Sequence, residues 1–389
     1  MSGITIDNPI SLEIAIASQR VIPGDTLLLR GGTYSGIYDS LLNGTEAAPI
    51  TIKSYPGETA IISGRFSLHG SYVLLDNLNF TYNDWITRST ELTGSAPEDM
   101  PTDAALDIFA PYSEVRHCVV YDVADFGIWA TAKACKIYGN VVFNIGWDAP
   151  DRGHGHLFYT QNDGAYGRMV FKHNIATASF ATGLKIYTEG AKARGYDVIG
   201  NTIFISGELF DGDDYSMNFW VQDPAGKDYK FERNHSFHDK ATGDPVRMGL
   251  YNPITNLELI DNYFPEGIVH DEDNEIVTDS GGYYGTVVGN QVFVEADDYD
   301  AGRAIITIYN QAAADSVAVD VSAVLDASAD YKLTQAQDYF TDIATGTVAL
   351  DGTITVDMRA ISHTVAAPQG WTAPATTFPT FGCFVVEKA

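Results

Sequence analysis

Five short segments carry aromatic, cationic and imidazole side chains at alternating positions. They are Phe126-Gly127-Ile128-Trp129, Gly155-His156-Leu157-Phe158-Tyr159-Thr160-Gln161, Gly183-Leu184-Lys185-Ile186-Tyr187-Thr188, Met217-Asn218-Phe219-Trp220-Val221-Gln222 and Val246-Arg247-Met248-Gly249-Leu250-Tyr251. Read as strands, they bury Ile128, Leu157, Leu184, Ile186, Phe219, Val221, Met248 and Leu250. Alternation then turns Trp129, His156, Phe158, Lys185, Tyr187, Asn218, Trp220, Gln222, Arg247 and Tyr251 outward. Parallel strands stack about 4.8 Å apart, so five of them make a strip about 20 Å long. Aromatic faces stack on sugar rings, and Lys or Arg pairs with a carboxylate. The same residue types can take a proton from the carbon beside a carboxylate, neutralise that carboxylate and protonate a leaving oxygen. On that chemistry Lys185 is the candidate base, with Arg247 nearby favouring its neutral form. Arg247 or Asn218 holds the carboxylate. Tyr187 or His156 acts as acid or replaces Lys185 as base. Trp129, His154, Phe158, Asn218, Trp220, Gln222 and Tyr251 are the candidate substrate contacts.

Two loops feed this strip. Trp147 to His156 places His154 and His156 two residues apart on an extended segment, expected to point the same way; no third His or Cys has zinc-ligand spacing. Asp211-Gly212-Asp213-Asp214 is a second acidic loop, so Asp211, Asp213 and Asp214 are candidate Ca²⁺ ligands, although a full calcium-loop motif is absent.

A repeat must position these strands. The phrase x-x-Asn followed by apolar residues recurs at Leu75-Asp76-Asn77, Tyr138-Gly139-Asn140, Lys172-His173-Asn174, Ile199-Gly200-Asn201, Glu232-Arg233-Asn234, Ile260-Asp261-Asn262 and Val288-Gly289-Asn290, with His117 expected to fill the same slot. From His117 the steps are 23, 34, 27, 33, 28 and 28 residues. Such periods mean stacked supersecondary units. Several short strands per turn with an Asn ladder at one bend describe a parallel β-helix. The Asn residues are expected to hold turns together and to carry no chemistry.

The stretch Pro23-Gly24-Asp25-Thr26, Gly31-Gly32-Thr33-Tyr34 and Pro49-Ile50-Thr51-Ile52 resembles the opening of pectate-lyase-like right-handed parallel β-helix proteins. The resemblance extends over about the first three hundred residues as a fold signal. It implies an all-β fold and a polysaccharide lyase that cleaves an acidic, uronate-containing polysaccharide by β-elimination, using Lys or Arg and sometimes Ca²⁺. Gly153-His154-Gly155 and Leu184-Lys185-Ile186 look like polygalacturonase signatures, which implies a glycoside hydrolase as an alternative. That family places paired aspartates before Gly-His-Gly, and here only Asp148 and Asp151 lie there, with Asp213 and Asp214 following. Virus tail spikes and adhesins, which only bind glycans, are the non-catalytic alternative.

Composition bounds the rest. The chain has 389 residues, 45% hydrophobic and 12% aromatic, enough for a large core. A net charge of −28 argues against nucleic acid as a partner. Eleven of the 23 Lys and Arg residues fall between Arg152 and Arg247, where they could surround an anionic ligand. Cys118, Cys135 and Cys383 are expected to be free, the first two buried on strands. Ser11-Leu12-Glu13-Ile14-Ala15-Ile16 reads as a short capping helix with Ser11 at its N-cap. The polar segment from Trp85 to Asp103 breaks the period and is expected over the binding face. The β-helix is expected over 1–299 and a small antiparallel β-sandwich over 300–389. No transmembrane run or signal peptide is visible. The expected setting is extracellular or virion-borne, as a monomer or homotrimer.

Overall fold

The structure, a computed structural model, describes residues 10–82, 89–92, 97–100, 102–188, 193–210, 217–222, 226–238, 245–250 and 252–389. Short apolar runs bend at left-handed residues, so each turn of chain visits three parallel sheets. Sheet A stacks ten strands, from Thr26–Leu29 to Ile276–Ser280. Sheets B and C diverge from one long strand, Ala60–Leu68. Its first half pairs with Asn79–Thr81, which opens sheet B, and its second half with Leu106–Ile108, which opens sheet C. The divergence turns on Gly64 (φ +129°): a Cβ there would lie 2.0 Å from the carbonyl oxygen of Gly36 in the adjacent strand. Sheet C continues through Ile128–Ala130, Phe158–Thr160, Leu184–Tyr187, Phe219–Gln222, Val246–Leu250 and Val269–His270. The inner faces of all three sheets share one apolar core, including Phe66, Phe80, Ile137, Phe171, Val198, Phe219 and Leu259. The fold is therefore a parallel β-helix. The helix Leu12–Ile16 closes its first turn with Leu12 and Ile16, although Ser11 makes no side-chain capping bond.

The Asn ladder lies between sheets A and B. The side-chain amides of Asn140, Asn174, Asn201 and Asn234 each donate to the Oδ1 of the next Asn at 2.9–3.0 Å, ending on Asn262. Each Oδ1 also accepts the previous turn's backbone N–H, beginning with Cys118 at 2.9 Å. Three repeat positions need correction. Asn77 and His117 stand one residue before the ladder, at the left-handed position that Gly139, His173 and Gly200 also occupy; Leu78 and Cys118 follow them. Asn290 lies outside the ladder, at the start of an antiparallel strand. All three cysteines are buried and free, and burial pushes each thiol up to about 12.

Pairing changes from parallel to antiparallel between Ser280 and Asn290. Asn290–Ala296, Arg303–Asn310, Phe381–Lys388, Asp330–Gln335 and Ile343–Thr347 form a five-stranded sheet, and Ser316–Asp320 pairs with Thr353–Asp357. Ile306, Ile308, Phe384 and Val386 pack against Val317, Val319, Ile354 and Val356, which makes a small sandwich. The other face of the same sheet, with Ile305, Tyr309, Phe381 and Val385, packs on sheet B at Phe143, Ile175, Phe204 and Phe237. Cover on both sides explains why every residue of Arg303–Asn310 is buried. No described helix is long and apolar enough to cross a membrane.

Polar contacts line the same seam. His117 Nε2 meets Asp297 at 2.8 Å, Lys172 meets Asp298 at 2.5 Å, and Arg233 and His173 meet Glu295 at 3.2 and 3.3 Å. Burial works against the Asp297 charge, but the His117 hydrogen bond holds its carboxyl at about 2. Several mid-chain cations thus serve the fold rather than an anionic ligand. Arg168 likewise pairs with Asp197 at 2.8 Å, and Lys230 with Glu232.

Candidate functional site

Sheet C presents one outward row in register across eight strands: Asp39, Ser67, Asp107, Trp129, Tyr159, Lys185, Trp220 and Arg247. Trp129, Lys185, Trp220 and Arg247 thus stand on one face, and Tyr159 takes the place expected for Phe158. Phe158 aligns with Ile128 and Leu184, is 1% exposed and packs in the core. The strand begins at Phe158, not Gly155, and a one-residue slip sends every side chain to the opposite face. A register shift after Val221 likewise brings Leu250 opposite Gln222, so Leu250 is not a core residue.

At the basic end the Lys185 ammonium sits 4.2 Å from the Trp220 ring centre and 4.8 Å from that of Tyr187. Such contacts attract a cation to the ring faces. Arg247 makes a two-bond pair with Asp271, with Nε to Oδ2 at 3.2 Å. Trp220 separates it from Lys185 in the row. Trp220 is 6% exposed and acts mainly as the surface beneath Lys185.

In the middle, Tyr159 stacks on Phe126 with ring centres 4.9 Å apart and planes 14° apart. Phe126 also stacks on His156 at 5.5 Å. Desolvation, reinforced by the charges of Lys185 and Arg152, holds the His156 imidazole neutral. Its Nδ1 accepts the Thr182 backbone N–H at 3.3 Å and contacts Thr182 Oγ1 at 2.5 Å. That network assigns the proton to Nε2. His156, expected as acid or base, is a neutral ring whose Nδ1 already accepts from Thr182, and it instead braces the aromatic stack.

Other expected contacts point elsewhere. His154 is buried against Trp147, with ring centres 4.5 Å apart, and bonds Asp151 at 3.3 Å; the two histidines therefore pack on different rings. Asn218 is fully buried: its Oδ1 accepts from Ser206 N, and its amide donates to Ser236 Oγ and the Phe237 carbonyl. It fastens turns and is unable to hold a ligand. Gln222 ends its strand, with its side chain outside the described residues. Tyr251, Asp211, Asp213 and Asp214 also lie outside them. Among the described residues no group of three or more His, Cys, Asp or Glu side chains is arranged for a metal.

The acidic end was not anticipated. Asp39, Arg65, Ser67, His69, Asp103, Asp107, Asp125, Phe109 and Trp129 line a cavity of about 190 Å³. Arg65 pairs with Asp103 at 3.2 Å and His69 meets Asp39 at 3.4 Å. Asp107 is 4% exposed and accepts one bond, from Ser67 Oγ at 3.2 Å. Burial pushes its carboxyl up to about 7, with Asp103 and Asp39 adding to the rise and Ser67 and Arg65 opposing it. Burial and the charges of Asp107 and Asp103 push Asp125 well up too. The available signal was Asp107 inside the apolar run Ala104-Ala105-Leu106-Asp107-Ile108. The expected long loop contributes here, since Thr102 and Asp103 stand on the cavity wall.

These features define the class: a parallel β-helix with an aromatic-lined outer face. No family model matches the chain. Over 59 residues it is 36% identical to the uncharacterized protein YwoF of Bacillus subtilis (strain 168), a match spanning 15% of this chain and 13% of that protein. Similar solved structures include the pectate lyase Pel9A, with TM-score 0.49 and 12% identity over 72% of this chain and 74% of that one. An alginate lyase from Paenibacillus sp. str. FPU-7 has TM-score 0.45 and 17% identity over 71% and 93%. The Dettilon tailspike protein has TM-score 0.39 and 11% identity over 93% and 86%.

Proposed function

We propose that the protein binds an acidic, uronate-containing polysaccharide along sheet C and cleaves it by β-elimination at the Tyr159–Lys185 step, outside the cell or on a virus particle. One observation carries this reading: Tyr159, Lys185, Trp220 and Arg247 are consecutive outward residues of one parallel row. Lys185 neutralises the uronate carboxylate. The Tyr159 phenolate takes the proton from C5, the C5 electron pair forms the C4=C5 bond, the C4–O bond breaks, and the proton just taken passes from the phenol to the leaving oxygen, which regenerates the phenolate. The Lys185 charge stabilises the negative charge that develops beside it. Arg247, oriented by Asp271, meets a neighbouring uronate. Lys185 thus moves from base to electrostatic partner, and Tyr159 replaces Tyr187 and His156 in proton transfer.

The test is the ultraviolet absorbance of an unsaturated uronate end during incubation with pectate, alginate, glucuronan and glycosaminoglycans, with and without a calcium chelator. Absorbance that rises with new reducing ends supports the reading. Reducing ends without absorbance assign a hydrolase, and neither signal assigns a glycan-binding module. Loss of activity on chelation would support the Ca²⁺ expectation for Asp211, Asp213 and Asp214.

A further inference from the structure

The cavity at the acidic end adjoins the proposed cleavage centre but has the opposite chemistry. Asp107 Oδ1 is buried and has no hydrogen-bond partner among the described residues, and the side chain lines the cavity. Leaving a buried polar atom unpaired is costly, so a ligand that brings a donor to it gains what the protein lacks. Asp39 and Asp103 stand on the same wall and already hold His69 and Arg65. Four carboxyl groups, Asp39, Asp103, Asp107 and Asp125, outnumber Arg65 on the lining, so an entering carboxylate meets like charge, while the buried Arg65 Nε and Trp129 Nε1, which have no acceptor among the described residues, can donate to a sugar hydroxyl. Phe109 and Trp129 give the cavity apolar faces, edge to face with ring centres 5.7 Å apart. Pockets for drug-sized ligands occupy roughly 300–1,000 Å³. A cavity of about 190 Å³ suits a single ring.

We infer that this cavity is a subsite for a sugar ring that bears no carboxylate and presents hydrogen-bond donors, either hydroxyls or an ammonium group. Asp107 and Tyr159 are two strands apart, and Asp107 and Lys185 three, or about 14 Å at 4.8 Å per strand. A polymer running along the row therefore places a non-acidic ring in the cavity and a uronate at Lys185. The substrate class is a mixed chain in which uronates are interspersed with non-acidic sugars, not a uronate homopolymer. The cleavage half of this statement rests on the proposed function; the binding half does not.

Calorimetric titration of the Tyr159→Phe protein tests it without turnover. Three hexasaccharides are compared: alternating glucuronate and N-acetylglucosamine, alternating glucuronate and glucosamine with its free amine, and homogalacturonate. At least one mixed hexamer is expected to bind tenfold or more tighter than the homopolymer. Preference for the free amine identifies an ammonium donor, and equal binding of the two mixed hexamers identifies hydroxyls. Asp107→Leu is expected to abolish the preference, and Phe109→Ala, at a 40% exposed ring, to reduce it without threatening the fold. Equal binding of all three hexamers, or a preference that survives both substitutions, overturns the subsite. Absence of unsaturated product on every polymer overturns only the proposed function, because the binding ratio is read separately.

Discussion

Asp107 and Lys185 are the same position on two strands of one sheet, three steps apart, and both point outward from the same core. Their surroundings differ. Asp107 is enclosed by Arg65, Asp103 and two aromatic rings, and burial carries its carboxyl to about 7. Lys185 rests between the rings of Tyr187 and Trp220, with the Asp271-bound Arg247 beyond. Register alone therefore sets where a side chain stands. Enclosure and neighbouring charge set what it can do there. The result is one continuous row whose two ends differ in charge and burial.

The largest expected effect would break this comparison most clearly. On short uronate oligomers that end before the cavity, Tyr159→Phe or Lys185→Ala is expected to lower kcat by about 10²–10⁴, the usual worth of a positioned proton-transfer or charge-stabilising group. Asp107→Asn is expected to leave the same kcat within about threefold. Equal losses at both ends, measured by initial rates, would mean that the ends are one catalytic unit.

The second effect is on stability. The Asp107 carboxyl is raised from 3.8 to about 7 in the folded protein, so the folded state binds this proton more tightly than the unfolded chain. Its contribution is fully present below about pH 4 and is lost as pH rises through about 7. The full shift corresponds to at most about 4 kcal/mol. Asp107→Asn is therefore expected to raise stability toward denaturant at pH 8 relative to wild type, with little change at pH 4. An equal change at both pH values would remove the enclosure argument.

A scaffold substitution sharpens the contrast from outside the row. Asn201→Ala removes bonds to Asn174, Asn234 and the Phe171 carbonyl and leaves buried partners unsatisfied. Each unsatisfied group costs about 1–3 kcal/mol, so a loss of about 2–4 kcal/mol is expected in chemical denaturation. Below the transition, kcat should be unchanged. Asp271→Ala is the mildest test: releasing Arg247 is expected to raise KM about fivefold, or about 1 kcal/mol, with kcat intact.

Much of the scaffold was legible in the sequence because it repeats. The Asn residues from Asn140 to Asn262 are buried and bonded as their spacing implied. Two exceptions arise where the side chain alone is ambiguous: Asn77 serves as a left-handed bend residue, and Asn290 begins an antiparallel strand. The face was legible where strands start cleanly, as at Leu184–Tyr187. It failed at Phe158, because Gly155-His156-Leu157 belongs to the turn and the period-two pattern does not mark where a strand begins. Asn218 failed in the same way: a position before the strand was read as part of it. The acidic cavity draws Asp39, Arg65, Asp103 and Asp125 from distant turns, and no local pattern announces such a meeting. The seam between the C-terminal sheet and sheet B was hidden in the same way, since Phe204 and Phe381 are far apart in the chain.

The central claim is that Tyr159, not Phe158 or His156, faces the substrate and moves the proton. The most direct measurement is the initial rate of unsaturated-uronate formation by Tyr159→Phe against wild type, on the best polymer from the panel, with binding of the same polymer measured in parallel. The account predicts a rate at least about 100-fold lower with binding retained. A full wild-type rate from the Tyr159→Phe protein would contradict it.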